Sequence, residues 1–238
     1  SSLEETNLYS QCIDARLMSL YEQSTDRSRS FADFVREKNA DELSHYRSEY
    51  MQRLRLEKTH APTTQLYLDK NPGLSISVAR FAKTMPHSPI IYAVRDPRDV
   101  CISAFFQWCD RTPWSNHWLT LEATVAQCVF THELWQKTQT QLVQPWCEIR
   151  YEDIVDDLET WGKKATQFLG LSWQENQLHP AQHARSKVVK SPTHQAVQKD
   201  LYTHAKQRWK HYERWLKPHA GPLAPLLQHY HYEPMTRS

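Results

Sequence analysis

The run PIIYAV, residues 89–94, is the feature of this sequence that most constrains the fold. It is short, unbroken and rich in β-branched side chains, and segments with helical spacing of apolar groups lie on both sides of it. A strand without polar alternation is typical of the centre of a parallel sheet whose two faces are covered by helices. The run therefore predicts an α/β fold.

The rest of the chain alternates in the same way between strands and helices. Two further short apolar runs predict strands at QLYLD (65–69) and at WCEIR (146–150), the second running into a loop. Helices are predicted at 9–22, 30–37, 39–57, 75–86, 97–110, 120–142, 158–171, 202–218 and 222–232. We interpret 1–238 as one domain, in which residues 9–60 form a helical cap and the basic stretch 180–200 forms a loop.

Composition excludes several classes of protein. No apolar run of about 18 residues is present, so no membrane segment is expected, and a net charge of +2 does not favour nucleic acid. The five cysteines form no C-x-x-C pair, which indicates reduced thiols rather than zinc ligands or disulfides. No good metal motif is present. These features favour a cytoplasmic protein, and they leave the oligomeric state open.

The stretch RDPRD, which follows PIIYAV, predicts a ligand site. Ligands of parallel sheets bind at the carboxyl ends of the strands, where Arg95 lies. Asp96 can cap the next helix and Pro97 fits its first turn, while Ser103 lies two turns further along. An arginine and a hydroxyl placed in this way can clamp a phosphate group. The alternative is a capped and solvated helix start with no ligand.

Several stretches in this order resemble one enzyme family. The segment VRDPRDVCISAFF (94–106) resembles the 3′-phosphate-binding segment of sulfotransferases that use 3′-phosphoadenosine 5′-phosphosulfate (PAPS). The resemblance is collinear from about residue 3 to 216, and it favours the branch that includes protein-tyrosine sulfotransferases and those linked to tetratricopeptide repeats. The other matching stretches are LEET (3–6), LDKNPG (68–73), IRYEDIVDDLETWGKKATQFLGL (149–171) and VVKSPTHQAVQKDLYTHAKQRWKHYERWL (188–216).

The resemblance implies a P-loop-NTPase-like parallel sheet flanked by helices, with the cap inserted. It also implies transfer of a sulfuryl group from PAPS, without a metal, to a hydroxyl of a peptide, glycan or metabolite. Arg95 and Ser103 correspond to ligands of the 3′-phosphate. Tyr151 corresponds to a tyrosine near the adenine or ribose, although an ordinary core tyrosine is the alternative.

The same resemblance assigns the remaining site residues. Ser191 or Thr193 corresponds to a serine that contacts the 5′ side of the nucleotide, and Lys190 adds positive charge beside it. Lys70 corresponds to a cation that neutralises charge on the leaving oxygen, with a simple salt bridge as its alternative. Glu5 corresponds to the general base that accepts the proton of the acceptor hydroxyl, with Glu4 as the alternative in a shifted register.

The sequence departs from the family pattern in two places. Leu74 occupies the position of the last asparagine in the family's D-K-x-P-x-N stretch. The family's first strand and its P-R-S-G-T-T phosphosulfate loop would precede residue 1, so we expect the natural protein to begin earlier. Two rival functions follow. A nucleotide kinase is disfavoured because no G-K-[ST] loop is present, whereas a non-catalytic nucleotide-binding module derived from a sulfotransferase stays open.

Overall fold

The structure is a computed structural model that describes residues 8–24, 28–56, 66–107, 115–179 and 206–235. The chain divides into two compact units, Ser1–Ser88 and Pro89–Ser238. The single domain over 1–238 and the cap boundaries at 9–60 stay predictions.

The first unit is helical. A π-helical turn at Ser10–Asp14 leads into helix α1, and a 3-10 turn at Pro72–Ser77 leads into the last helix of the unit. The α-helices are α1 (Ala15–Gln23), α2 (Phe31–Glu37), α3 (Ala40–Leu56) and α4 (Val78–Thr84). These confirm the four helices predicted between residues 9 and 86.

Asn39 caps the start of α3. The Asn39 side chain accepts hydrogen bonds from the N–H groups of Asp41 and Glu42, both at 3.0 Å. The Glu42 carboxylate in turn accepts from the Asn39 N–H at 2.9 Å. This reciprocal arrangement is a capping box.

The apolar sides of these helices meet in one core. The largest fully buried side chains of this unit are Tyr9, Ile13, Leu17, Leu43 and Leu54. Tyr9 also donates or accepts a 3.0 Å hydrogen bond with the Thr84 hydroxyl, which satisfies its only polar atom inside the core.

The strand predicted at QLYLD is wrong within the described residues. Leu66, Tyr67 and Asp69 are irregular, and Leu68 makes only a single bridge pair. Tyr67 packs against the core, and the carboxylate of Asp69 accepts a hydrogen bond from the Tyr50 hydroxyl. Helix α3 thus holds this segment through side chains, whereas a strand requires a continuous backbone ladder with a neighbour.

The second unit contains the parallel pair β1 (Ile90–Val94) and β2 (Trp146–Arg150). Its α-helices are α5 (Pro97–Phe105), α6 (Leu121–Gln139), α7 (Tyr151–Asp156), α8 (Leu158–Phe168), α9 (Glu213–Leu216) and α10 (Ala220–His229). Both strands agree with the predicted segments. The described residues therefore form a mixed helical protein with a small parallel sheet, as the α/β prediction requires in outline.

Helix α6 covers one face of the sheet. The ring of Trp135 on α6 stacks on Tyr92 of β1 with 4.2 Å between centroids, and its indole N–H donates to Glu148 of β2 at 2.6 Å. Residues from α5, α6 and α10 form a second core cluster, which includes Ile102, Val125 and Leu223. Each helix thus buries one apolar face, as their sequence spacing predicts.

Three predicted boundaries are wrong. The helix predicted at 97–110 ends at Phe105, because Phe106 turns to pack on Tyr212 with 5.1 Å between ring centroids. The loop predicted after β2 is helix α7, whose first turn carries the acidic residues Glu152 and Asp153 that helix N-termini favour.

The single helix predicted at 202–218 is also wrong over its described part. Gln207 has φ +57°, in the left-handed region, and no continuous right-handed helix passes through such a residue. The chain continues as a 3-10 turn at Arg208–Tyr212, helix α9 and a second 3-10 turn at Lys217–His219. Pro218 lies inside that last turn and does not end the segment.

Two further observations concern the composition. Cys12, Cys101 and Cys128 are buried cysteines, and Cys147 is a half-buried one. Within the described ranges, no helix combines the length and the apolar character that crossing a bilayer requires.

Candidate functional site

The carboxyl ends of β1 and β2 bring Arg95 and Tyr151 together. Val94 and Arg150 are partners in the parallel register, so their side chains share one face of the sheet. The residues that follow them, Arg95 and Tyr151, therefore both project from the other face. The Arg95 guanidinium lies over the Tyr151 ring, with 4.9 Å between Cζ and the ring centroid. A cation held in this way lies where ligands of parallel sheets bind.

The helix start after Arg95 is capped as predicted. The Asp96 carboxylate accepts from the Arg98 N–H at 2.9 Å, and Pro97 occupies the first turn. The alternative of a solvated start is wrong, since Asp96, Arg98 and Asp99 are only 5%, 2% and 1% exposed. The first-turn N–H of Arg98 is occupied by this cap, so an anion would depend on side chains rather than on that amide.

The Arg98 side chain is buried inside the second unit and is held there by several contacts. Its Nε and Nη2 donate to the two Asp96 oxygens at 2.9 and 2.7 Å, and its Nη1 donates to the Glu233 carbonyl at 2.9 Å. The guanidinium also stacks on Trp209, with 3.7 Å from Cζ to the ring centroid. Such a buried charge is stable because every side of it is paired.

Asp99 connects helix α5 to the chain that resumes after residue 205. Its two oxygens accept from the N–H groups of Gln207 and Trp209, both at 2.8 Å. Burial raises the pKa of Asp99, and the Trp209 N–H and the positive charge of Arg95 oppose this rise. Arg95 therefore acts electrostatically on the first turn of α5 as well as contacting Tyr151.

Ser103 lies one turn beyond Asp99 on the same side of α5 and is half-buried. Among the hydrogen bonds made by described residues, none uses the Ser103 hydroxyl. A serine within a helix commonly bonds the carbonyl one turn back. Among the described residues, the Ser103 hydroxyl does not make this bond, so its donor and its lone pairs can interact with another group.

Tyr151 is half-buried and begins helix α7. Burial raises the pKa of its hydroxyl, while the charge of Arg95 opposes that rise. It is therefore a neutral ring at any ordinary pH, with its face toward Arg95. Tyr151 belongs to neither of the two buried core clusters, and its place near the nucleotide stays a prediction.

Lys70 is the one other predicted site residue that lies among the described residues. Lys70 lies in the first unit, and burial lowers the pKa of its ammonium group. Next to it, the Asn71 side chain accepts from the Gly73 N–H at 2.9 Å and caps the 3-10 turn. The remaining predicted residues, Glu5, Lys190, Ser191 and Thr193, lie outside the described residues.

Sequence reasoning missed several residues that organise the strand ends. The Glu152 carboxylate accepts from the Asp96 N–H at 3.0 Å and from the Tyr232 hydroxyl at 2.8 Å. The charged stretch RDPRD directly after a buried strand was the sequence signal that could have indicated a role for Arg98 and Asp99. No local pattern marks Tyr232, because its partner is 80 positions away.

The described residues contain no group of three or more His, Cys, Asp or Glu side chains that could hold a metal ion. A groove of about 510 Å³ lies along α6 and Pro218–Pro222, and none of the predicted ligand residues lines it.

A cation with an aromatic support, at the ends of parallel strands and before a capped helix, is typical of an enzyme that handles a phosphorylated ligand. A family model described as the sulfotransferase family matches residues 2–175. The chain belongs to the sulfotransferase family, which confirms the resemblance stated from the sequence. It is thus a member of a family of transferases.

The chain is similar to a structure titled "Sulfotransferase Domain from the Curacin Biosynthetic Pathway", at 15% identity and a TM-score of 0.49. The match covers 95% of this chain and 78% of that one. No curated protein sequence matches the chain.

Proposed function

We propose that this protein binds PAPS and transfers its sulfuryl group to an acceptor hydroxyl on a peptide, glycan or metabolite. The family match supports the reaction class. The observation that carries the donor assignment is the contact of Arg95 with Tyr151 at the adjoining strand ends, directly before the helix that bears Ser103.

The residues present fit the 3′-phosphate of this nucleotide. Stacking on Tyr151 uses the face of the Arg95 guanidinium, whereas a phosphate is bound by the N–H groups along its edge, so the two contacts are compatible. The Ser103 hydroxyl supplies a second donor. The cap at Asp96 leaves this pair, rather than the Arg98 amide, to bind the anion.

The chemistry asks mainly for positioning and charge stabilisation. The acceptor oxygen forms a bond to sulfur as the bond from sulfur to the 5′-phosphate oxygen breaks, and the acceptor releases one proton. In this proposal Glu5 accepts that proton, and Lys70 neutralises the charge that develops on the leaving phosphate. The lowered pKa of Lys70 makes it easier for this group to give a proton to that oxygen.

Several finer statements belong to the same proposal. Tyr151 lies near the nucleoside, and Lys190 with Ser191 or Thr193 contacts the 5′ side. The sheet is of the P-loop-NTPase type, with the helical cap over residues 9–60. The reaction needs no metal, and the protein works in the cytoplasm.

The test is a calorimetric titration with 3′-phosphoadenosine 5′-phosphate (PAP) and with adenosine 5′-phosphate. The wild type should bind the bisphosphate more tightly. Arg95→Ala should lose about 2–4 kcal/mol for the bisphosphate, or about 30- to 1,000-fold in affinity, because a charge-assisted contact to phosphate is removed. Its affinity for the monophosphate should change little.

Arg214→Ala is the matched control, because Arg214 is an exposed arginine of the same unit that stacks on Trp215. It should bind both nucleotides as the wild type does. Equal affinity of wild type and Arg95→Ala for the bisphosphate would rule out the site. Binding of the bisphosphate without sulfuryl transfer from PAPS to any acceptor tested would favour the non-catalytic module.

A further inference from the structure

The end of the chain contributes to the strand ends although it lies outside the family match, which covers residues 2–175. We call residues 232–235, which follow helix α10, the C-terminal strap. The Tyr232 hydroxyl donates to Glu152 at 2.8 Å, and the Glu233 carbonyl accepts from Arg98 at 2.9 Å. Met235 is buried in the core cluster of α5, α6 and α10, which anchors the strap.

Glu152 relays the strap to the backbone beside Arg95. Its Oε1 atom accepts from the Asp96 N–H at 3.0 Å, and that amide belongs to the peptide that joins Arg95 to Asp96. The preceding residue, Tyr151, supports the Arg95 guanidinium. Two consecutive residues after β2 therefore hold Arg95, one through its side chain and one through its peptide.

The strap also fixes the orientation of the Glu152 carboxylate. Hydrogen bonds from neutral donors hold a carboxylate in place and favour its charged form. Both oxygens of Glu152 are engaged, one by the Asp96 N–H and the other by the Tyr232 O–H. Arg150 stacks on the Tyr232 ring, with 4.4 Å between Cζ and the centroid, and holds the tyrosine in place.

We propose that Tyr232 is a positioning residue for the 3′-phosphate site, which acts on Arg95 through Glu152. Its hydroxyl fixes the Glu152 carboxylate, and the carboxylate fixes the peptide from which the Arg95 side chain extends. The inference rests on the proposed function, since it concerns the affinity of that site for phosphate. It assigns a role to a residue about 60 positions beyond the end of the family match.

The experiment compares the ratio of affinities for PAP and adenosine 5′-phosphate in wild type and Tyr232→Phe. Loss of one hydrogen bond to a carboxylate should lower this ratio about 3- to 10-fold. If the role of Tyr232 is only structural, Tyr232→Phe should lower the affinities for both nucleotides equally, or change only the midpoint of urea denaturation. Tyr212→Phe is the control, because Tyr212 lies in the same unit and its hydroxyl makes no hydrogen bond among the described residues.

A second variant tests the route through Glu152. In a Glu152→Ala background, Tyr232→Phe should change the affinity ratio no further, since the relay is already absent. An unchanged ratio in Tyr232→Phe, or a further loss in the Glu152→Ala background, overturns this inference and leaves the proposed function intact. A wild type that does not distinguish the two nucleotides overturns the proposed function and this inference with it.

Discussion

The guanidinium of Arg95 lies over the ring of Tyr151 at 4.9 Å, and the two residues directly follow the two paired strands of the sheet. This contact is a consequence of parallel pairing. Residues at the same level of two parallel strands share a face, so the first residue beyond each strand meets its counterpart. A polar site is thereby built at a sheet edge from positions 56 apart in the sequence.

We expect the aromatic face of Tyr151, rather than its hydroxyl, to support nucleotide binding. Tyr151→Phe keeps a ring under Arg95 and should bind PAP nearly as the wild type does. Tyr151→Leu removes the cation–π contact and should weaken binding by about 0.5–2 kcal/mol, or about 2- to 30-fold. Calorimetric titration measures both, and equal affinities of the Leu and Phe variants would contradict this role.

We expect Arg98→Ala to destabilise the second unit strongly. The change leaves the Asp96 carboxylate buried without its partner and removes the group stacked on Trp209. Breaking a buried ion pair in this way costs about 3–5 kcal/mol. Urea denaturation measures the change, and the control is Lys163→Ala, which breaks a half-exposed helical pair with Glu159. The control should have little effect, and a similar small loss in Arg98→Ala would refute the prediction.

We expect stability to fall between about pH 6.5 and 4 because of His132. Burial lowers the pKa of His132 from 6.5 to about 4, where the rings of Tyr92 and Tyr230 pack against it. In this window the unfolded chain binds a proton that the folded protein does not, so stability increases with pH. The difference corresponds to about 3 kcal/mol, which is present above pH 6.5 and absent below pH 4.

The measurement is the free energy of unfolding at several pH values in wild type and His132→Phe. The variant should lose most of this pH dependence and keep a ring in the aromatic cluster. His211→Gln, at an exposed position of the same unit, should retain the wild-type slope. An identical slope in wild type and His132→Phe would show that His132 does not titrate as described.

We expect two glycines in helices to respond oppositely to alanine. A Cβ atom at Gly162 in α8 would lie 2.7 Å from Cη2 of Trp173, a distance that forces the indole to move. Gly162→Ala should therefore destabilise by about 1–3 kcal/mol despite the higher helix propensity of alanine. Among the described residues, and apart from the adjoining residues and the helix's own backbone, no atom lies within 4 Å of a Cβ at Gly221 in α10, so Gly221→Ala should be neutral or stabilising. Thermal unfolding of both variants measures the two effects. Destabilisation by Gly221→Ala, without destabilisation by Gly162→Ala, would contradict the prediction.

Much of the local structure could be predicted from the sequence. The strand Ile90–Val94 was found because β-branched residues favour strands, and Trp146–Arg150 was predicted as a second short strand segment. The cap at Asp96 was found because short polar side chains satisfy the first amides of a helix. The helix predicted at 202–218 was wrong where the distant Asp99 carboxylate binds the backbone N–H groups of Gln207 and Trp209.

The candidate site likewise contains residues that local patterns predict and residues that only distant contacts bring in. Arg95 and Ser103 follow from a strand, a cap and two helical turns, and the contact of Arg95 with Tyr151 follows once the strands are known to pair in parallel. Glu152 and Tyr232 could not be found in this way. Their hydrogen bond joins residues 80 positions apart, and no periodic pattern encodes such a distance.

The sequence by itself determined most of the strands and helices, and which residue follows each of the two paired strands, because these depend on neighbours within about one helical turn. Only the tertiary structure decided that Arg98 and Asp99 face inward and hold the returning chain at Trp209 and Glu233. The physical reason is that a buried charge is tolerated only where its partners converge, and convergence is a property of the folded chain rather than of any short stretch of it.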